Sequence, residues 1–447
     1  MRQILWFRRD LRISDSAILN FASDEVLPIF IFDKNILGKL PKDDKRVTFI
    51  HNAVLKLKEQ LQSIGLDLVI FYDEPINVFL KLKEDFDEVI CSIDFDSYAK
   101  KRDDEIDNII PLKRVNDSFI LNPNDHLKSD NTPYKVFTPF YKSLSVITQS
   151  HNISEYQINE KIKLVNYDFN RIPSLEDLGF EKQKIESYLF QNPRNLLNDF
   201  LIKIDNYQED RDFFFKDSTS KISVHLRFGL ISPKEIFNII KASKKENSEF
   251  YIRELFWREF YNYILYHFPE SQRENFNKVN IKWNNDEESF KKWCKGETGV
   301  PIIDAAMIQL NKTGLMHNRL RMIVASFLTK NLFIDWKKGE EYFALKLLDY
   351  EASSNIGSWQ WAASTGADAA PYFRVFNPYT QSSKFDKEGL FIKSVLKELK
   401  DVDPRLLHIE NALSSNLFIN YPKSIVDILL SRKRAIEEFK KAKNENL

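Results

Sequence analysis

What most constrains this 447-residue chain is a rhythm near its start. Four short apolar runs, 4–7, 26–32, 68–72 and 89–93, are separated by stretches 16–22, 47–61 and 76–82 whose apolar residues recur at i, i+3, i+4 and i+7. Runs of that length read as buried strands and the intervening spacing as amphipathic helices. Strands joined by helices build a parallel sheet covered on its faces, so the first part is expected to be a Rossmann-like α/β domain. A fifth strand is expected between Val115 and Leu121. After the first strand stands Arg8-Arg-Asp-Leu-Arg12, where a dinucleotide fold carries G-x-G-x-x-G. The backbone-amide phosphate cradle of that motif is missing, and the sheet alone does not imply a nicotinamide cofactor.

From 126 to 194 the sequence is polar and irregular, broken by Thr-Pro and Ile-Pro-Ser pairs, and reads as an ordered connector. From 195 to 447 helical periodicity dominates, with stops expected at Gly229, Pro269, Gly296, Gly314 and Gly339 and a basic helix over 424–443, so an all-α domain follows. The expected division is therefore 1–125, 126–194 and 195–447. No regulatory extension is expected beyond the last helix.

Composition removes several classes. Lys+Arg and Asp+Glu both total 65, so net charge says nothing about a nucleic-acid partner. Cys91 and Cys294 form no C-x-x-C pair, which excludes a disulfide framework and a cysteine zinc site and suits a reducing, cytoplasmic compartment. No metal ligand set is expected. No apolar run approaches the roughly 18 residues of a membrane span. There is no G-x-S-x-G elbow, H-E-x-x-H pair or Walker A loop, which leaves an organic cofactor as the source of chemistry. Only Trp6 lies outside the second half, where Trp257, Trp283, Trp293, Trp336, Trp359 and Trp361 gather.

Three segments stand out. In Glu254-Leu-Phe-Trp-Arg-Glu-Phe-Tyr261, residues Glu254, Trp257, Arg258 and Tyr261 share one helical face. Taken alone, such a stripe is more often a core-packing helix with an i,i+4 ion pair. In Met316-His-Asn-Arg-Leu-Arg-Met322, Asn318 and Met322 are i,i+4 with Arg319 and Arg321 beside them, in isolation more often a basic surface helix. The run from Leu348 to Pro378 mixes small residues, two Trp, acids and Arg374, a pattern suited neither to a simple core helix nor to a solvated loop. Its small side chains let a flat ring approach the backbone, and Asn355 offers a donor and an acceptor to the ring's edge.

These segments resemble the photolyase and cryptochrome flavoproteins over nearly the whole chain, from Leu5-Trp-Phe-Arg-Arg-Asp-Leu-Arg12, most strongly over 207–389, and again at Tyr421-Pro-Lys-Ser-Ile-Val-Asp427. The resemblance is to members acting on cyclobutane pyrimidine dimers. It implies FAD bound by the helical domain through Tyr207, the turn Thr219, Ser220, Lys221, Ile222 and Ser223, and Arg321, Asp349, Glu351 and Asn355. Hydroxyls and amides of the turn suit a pyrophosphate, and Arg321 can offset its charge. Asn355 would face flavin N5, where plant cryptochromes carry Asp.

For substrate, the resemblance implies a dimer flipped from DNA into a pocket. Glu254 would hydrogen-bond it, Trp257 would stack on it, and Arg258, Asn318, Met322 and Trp361 would complete the wall. Arg211, Arg319 and Arg374 would hold phosphates. Histidines expected at Asn318 and Met322 in (6-4) photolyases are absent. The implied reaction is light-driven electron transfer from reduced FAD, a carbon–carbon lyase activity, with Trp359, Trp336 and Trp283 matching the family's electron relay. The expected form is a monomer on DNA.

Departures are Leu315 for an aromatic, Ile356 and Ser358 around Gly357, and Glu351 for Asp. A second antenna chromophore has no clearly matched site, and Asp94-Phe-Asp-Ser-Tyr98 resembles the deazaflavin type only loosely. Two rivals remain: a cryptochrome-like photoreceptor that cuts no bond, and a nucleotide-binding α/β module joined to an unrelated helical domain.

Overall fold

The structure is a computed structural model describing residues 1–150, 153–168, 171–284 and 286–444. By packing, the chain forms two compact units, Met1–Asp205 with Ser220–Pro269, and Asn206–Thr219 with Glu270–Leu447.

The first unit is built on strands β1 (Arg2–Phe7), β2 (Glu25–Asp33), β3 (Val69–Asp73), β4 (Glu88–Ser92) and β5 (Leu112–Val115), all parallel in the order β3-β2-β1-β4-β5. Helices α1 (Ala17–Phe21), α2 (Lys34–Leu37), α3 (Lys45–Ser63), α4 (Pro75–Leu82) and α5 (Ser97–Asp107) connect them. The N-terminal rhythm thus predicts four strands and three helices to within a few residues. Ile4, Trp6, Leu27, Ile29, Val69, Val89 and Cys91 fill one core. At the switch point between β1 and β4, where open α/β sheets bind ligands, charged side chains follow the strand. Arg8 pairs with Asp103 at 2.6 Å and Arg9 with Asp94 at 2.9 Å, while the Arg8 and Arg102 guanidiniums each lie 4.7 Å from the Trp6 ring.

The fifth strand is Leu112–Val115, upstream of the expected Val115–Leu121. The later apolar residues are not in the ladder, because a side chain satisfies their amides: the Glu259 carboxylate accepts from Ile120 N at 2.8 Å and Leu121 N at 3.2 Å. The connector is also more regular than expected. It holds helix α6 (Phe137–Ser150) and strand β6 (Lys163–Leu164), which pairs with Glu25 and Val26 ahead of the point where β3 joins β2. Pro139 lies in the first turn of α6, where its missing N–H costs nothing, so the Thr-Pro pair starts a helix instead of breaking one.

The remaining helices are α7 (Pro193–Lys203), α8 (Tyr207–Asp210), α9 (Ser223–Arg227), α10 (Pro233–Ala242), α11 (Ser248–His267), α12 (Glu287–Lys295), α13 (Pro301–Thr313), α14 (Asn318–Ser326), α15 (Trp336–Lys346), α16 (Ala352–Ala363), α17 (Pro378–Phe385), α18 (Leu390–Val395) and α19 (Ile428–Asn444), with a π-helical turn at Phe327–Leu332. The helices α9, α10 and α11 fall in the unit that contains the sheet. Gly296 and Gly314 end helices in the left-handed conformation, as expected. Gly339 does not end one. It lies inside α15, where a Cβ would meet Trp359 Cη2 at 2.2 Å, so its bare backbone is a seat for that indole. The last helix starts at Ile428, four residues beyond the expected Ser424.

Candidate functional site

In the first unit, α11 carries the substrate-type stripe. Leu255, Phe256, Glu259, Phe260 and Tyr263 are buried, which leaves Glu254, Trp257, Arg258 and Tyr261 half-buried along the opposite side, as the i, i+3, i+4, i+7 spacing requires. Trp257 has one face covered: Phe137 of α6 stacks on it with centroids 3.5 Å apart and planes 9° apart. Nothing in the irregular connector sequence pointed to that partner. Arg258 Nη1 donates to Ser118 O at 3.0 Å. One residue along, Glu259 is buried with Oε2 unpartnered, and desolvation pushes its pKa up to about 8 against two amide hydrogen bonds. Neither clamp on 118–121 was visible in the sequence.

The turn Ser220, Lys221, Ile222 and Ser223 precedes the short helix α9. Lys221 has φ +56, a left-handed conformation uncommon outside glycine. Ser220 Oγ accepts from Tyr251 Oη at 2.9 Å, and burial pushes the Tyr251 phenol up to about 12, so it stays a donor. Tyr251 stands three residues before Glu254 and thus ties the turn to the substrate-type helix. Sequence reasoning missed it because its partner is 31 residues away.

The second unit gathers most of the other candidates. Tyr207 is buried, with the Arg211 guanidinium 5.7 Å from its ring, and Thr219 is half-buried. Arg321 makes a two-bond contact with Asp349, 2.8 and 3.0 Å from Nη2 to the carboxylate oxygens, and its Nε donates to Met316 O at 2.8 Å. Glu351 is the N-cap residue of α16 and Asn355 and Trp359 follow at i+4 and i+8, all three buried in one row. Asn355 Nδ2 donates to Glu340 O at 3.2 Å and to Glu340 Oε1 at 3.0 Å. Because the carbonyl can only accept, the amide's orientation is fixed and its Oδ1 is turned to accept from elsewhere. Ile356 is buried and Ser358 exposed, so of these two departures only Ile356 enters the interior.

The Asn318 and Met322 side chains meet at 4.0 Å between Nδ2 and Sδ. Trp361 is half-buried, while Arg374 is exposed. Arg319, expected to hold phosphate, is paired with Asp212 at 2.5 Å and lies 4.7 Å from the Phe385 ring, so its charge is partly answered within the chain. Among the relay candidates, Trp359 meets Phe343 at 5.0 Å and Trp293 at 6.0 Å, Trp336 Nε1 donates to Asn275 Oδ1 at 2.8 Å, and Trp283 meets Phe333 at 5.2 Å and Phe439 at 5.9 Å. Gly339, three residues after Trp336 on α15, lets that helix close onto the Trp359 ring.

Among the described residues no cluster of His, Cys, Asp and Glu is placed to hold a metal, and no helix is long and apolar enough to cross a membrane. A cavity of about 790 Å³ in the first unit, lined by Arg12, Lys56 and Arg194 among others, contains none of the candidates. Its cations are already engaged, by Asp117, Phe190 O and Glu235 respectively.

Residues 3–155 match the family model described as DNA photolyase, and residues 250–441 match that described as FAD binding domain of DNA photolyase. The chain belongs to the DNA photolyase family. It is 34% identical to the deoxyribodipyrimidine photo-lyase of Alkalihalophilus pseudofirmus, with 98% of this chain and 97% of the relative covered. Among solved structures it resembles an archaeal photolyase from Sulfolobus tokodaii with two FAD molecules, at 34% identity and TM-score 0.85, covering 99% of this chain and 100% of that one. It also resembles the Synechocystis cryptochrome, at 25% identity and TM-score 0.87, covering 99% of each. The α/β sheet followed by a helical FAD-binding region is therefore the family's architecture.

Within the second unit the donors suit a flavin dinucleotide: the Thr219 hydroxyl can serve a pyrophosphate oxygen, the Arg321–Asp349 pair presents a fixed guanidinium and carboxylate, and Asn355 Oδ1 is an oriented acceptor for a ring N–H.

Proposed function

We propose that this protein repairs cyclobutane pyrimidine dimers in DNA under blue or near-UV light, as a deoxyribodipyrimidine photo-lyase. The reading rests chiefly on α11, which presents a carboxylate, an indole and a guanidinium along one partly exposed stripe in a chain of this family. Tyr207, the turn 219–223, Arg321, Asp349, Glu351 and Asn355 would hold the FAD. Bound and reduced, FAD supplies on excitation the single electron that opens the cyclobutane ring and takes it back, with no net redox change.

The chain's own residues then have distinct tasks. Glu254 hydrogen-bonds the flipped pyrimidine pair. Trp257, held flat from behind by Phe137, offers its other face for stacking. Arg258, fixed by Ser118 O, and separately Asn318, Met322 and Trp361 of the second unit contact the substrate. Arg374 contacts phosphate as an exposed cation, and Arg211 and Arg319 contribute to the same backbone grip. Trp283, Trp336 and Trp359 deliver electrons to the flavin site before repair and take no part in ring opening. The functional division follows 1–125 as antenna domain, 126–194 as connector and 195–447 as the FAD- and DNA-binding region, with a monomer in the cytoplasm acting on DNA.

The likeness to a cryptochrome supports one alternative, a photoreceptor that cuts no bond. Illuminating the reduced protein with oligomers carrying either a cyclobutane dimer or a (6-4) product decides among these. Restoration of the cyclobutane dimer alone is expected; restoration of the (6-4) product, or of neither, overturns the proposal.

A further inference from the structure

Lys330 is fully buried, inside the π-helical turn Phe327–Leu332. Its Nζ donates to Ser364 Oγ at 2.7 Å and Ala363 O at 3.3 Å, and lies 3.5 Å from the centroid of Phe439. Those three partners match the three N–H bonds of an ammonium, yet none is an acid. Ser364 is the left-handed cap at the C-terminal end of α16, the helix of Asn355, Trp359 and Trp361. A cation there meets the negative end of the helix dipole. On its other side, Phe439 touches Trp283 at 5.9 Å, edge to face, and Phe333 touches both rings, at 6.0 and 5.2 Å. One aromatic ring thus separates the amine from the outermost candidate of the electron relay.

Among the described residues, Lys330 forms no salt bridge and no hydrogen bond to an acid. Burial alone accounts for a Lys330 pKa well below the ordinary lysine value. Helices α12, α14, α15, α16 and α19 pack on the turn. On α19, Arg434 donates to Asn331 O, Lys443 lies over Tyr372, and Glu438, beside Phe439, is paired with Lys441. The charges of α14 are spent on Asp212 and Asp349, Glu287 of α12 pairs with Lys338 of α15, and Asp335 caps the amide of Lys337. The α16 end contributes only Ser364 and a carbonyl.

We propose that Lys330 is a positioning residue of the electron relay: its amine fastens the C-terminal end of α16, and its charge, acting across Phe439, sets how readily an electron leaves Trp283. The inference rests on reading Trp283, Trp336 and Trp359 as that relay. One electron passes from Trp283 by way of Trp336 and Trp359, the final oxidant being the light-excited oxidised flavin of the loaded protein; the added thiol, the final reductant, refills Trp283, and Lys330 is neither oxidised nor reduced. A charged Lys330 opposes a positive Trp283, and a unit charge one ring away at an effective dielectric near 20 changes that equilibrium by roughly tenfold. Electron delivery is therefore slow while Lys330 is protonated and faster once it is neutral.

The test is the rate of flavin photoreduction in the FAD-loaded protein with excess dithiothreitol, followed over the whole pH range in which the protein stays folded. Lysine ¹³Cε NMR of the same protein in the dark gives the second readout. The wild type is expected to show about a tenfold rise with one inflection, coinciding with a single anomalous lysine resonance. Lys330→Met is expected to lose both and keep the fast rate throughout, whereas Lys330→Arg, always charged, keeps the slow rate throughout. A purely structural role would shift both variants in the same direction and overturns the proposal, as does an inflection that survives Lys330→Met. Should the Met variant not fold, a pH-dependent Arg variant has the same force. Trp283→Phe separates the premises: unchanged photoreduction there refutes the relay reading itself.

Discussion

Replacing Glu259 with Gln tests how the substrate helix is held. The carboxylate is buried, one oxygen accepts the Ile120 and Leu121 amides, and the other has no partner. Its pKa rises from 4.5 to about 8 on folding, chiefly through desolvation. A raised carboxyl pKa means the folded state holds a proton that the unfolded state has released, so this group's contribution falls as pH climbs from about 4.5 to about 8. At ~1.36 kcal/mol per pH unit, the loss is on the order of 3 kcal/mol by pH 7 and reaches its full extent above pH 8. Glutamine keeps an acceptor for both amides and cannot ionise, while its NH₂ occupies the place of the unpartnered oxygen in either state. Urea denaturation of both proteins from pH 5 to 8.5 should show a Gln-minus-Glu difference near zero at pH 5 that grows with pH to several kcal/mol. A difference independent of pH would refute the reasoning, since it would place an ionised carboxylate at this site throughout.

Four further outcomes are expected. Glu254→Ala should lower the dimer-repair yield far more than flavin content, by the ~1.5–3 kcal/mol of a hydrogen bond to a charged species, read by comparing repair per photon with bound-flavin absorbance. Trp359→Phe should slow flavin photoreduction while chemically reduced protein still repairs, read by absorbance under illumination. Gly339→Ala should cost about 1–3 kcal/mol in urea denaturation and slow photoreduction too, because the new methyl displaces the Trp359 ring. Arg374→Ala should weaken binding to DNA and lower the slope of log affinity against log salt by about one, measured by titration at several salt concentrations.

Local patterns carried much of this fold to the surface of the sequence. The N-terminal strands and helices were legible because each satisfies its own periodicity, and Gly296 and Gly314 announce helix ends by a conformation that other residues disfavour. What stayed hidden depends on distant partners. The amides of Ile120 and Leu121 look like a strand until Glu259, more than a hundred residues on, takes their hydrogen bonds. Gly339 reads as a helix stop because nothing local reveals that Trp359 needs the space. Phe137 sits in a segment whose prolines read as an ordered but irregular connector with no helix, yet it lies in α6 and defines the back of Trp257. The α11 stripe shows the division within one site: its spacing was readable, while the residues that hold it, Phe137, Ser118 and Tyr251, were not.

The central claim is tested most directly by mixing the chemically reduced, FAD-loaded protein with a DNA oligomer that carries one thymine cyclobutane dimer, then assaying dimer loss in blue light and in the dark. Loss in light and persistence in the dark is the predicted result. A dimer that persists in light, while bound flavin still photoreduces, would contradict the proposed repair activity and favour photoreception.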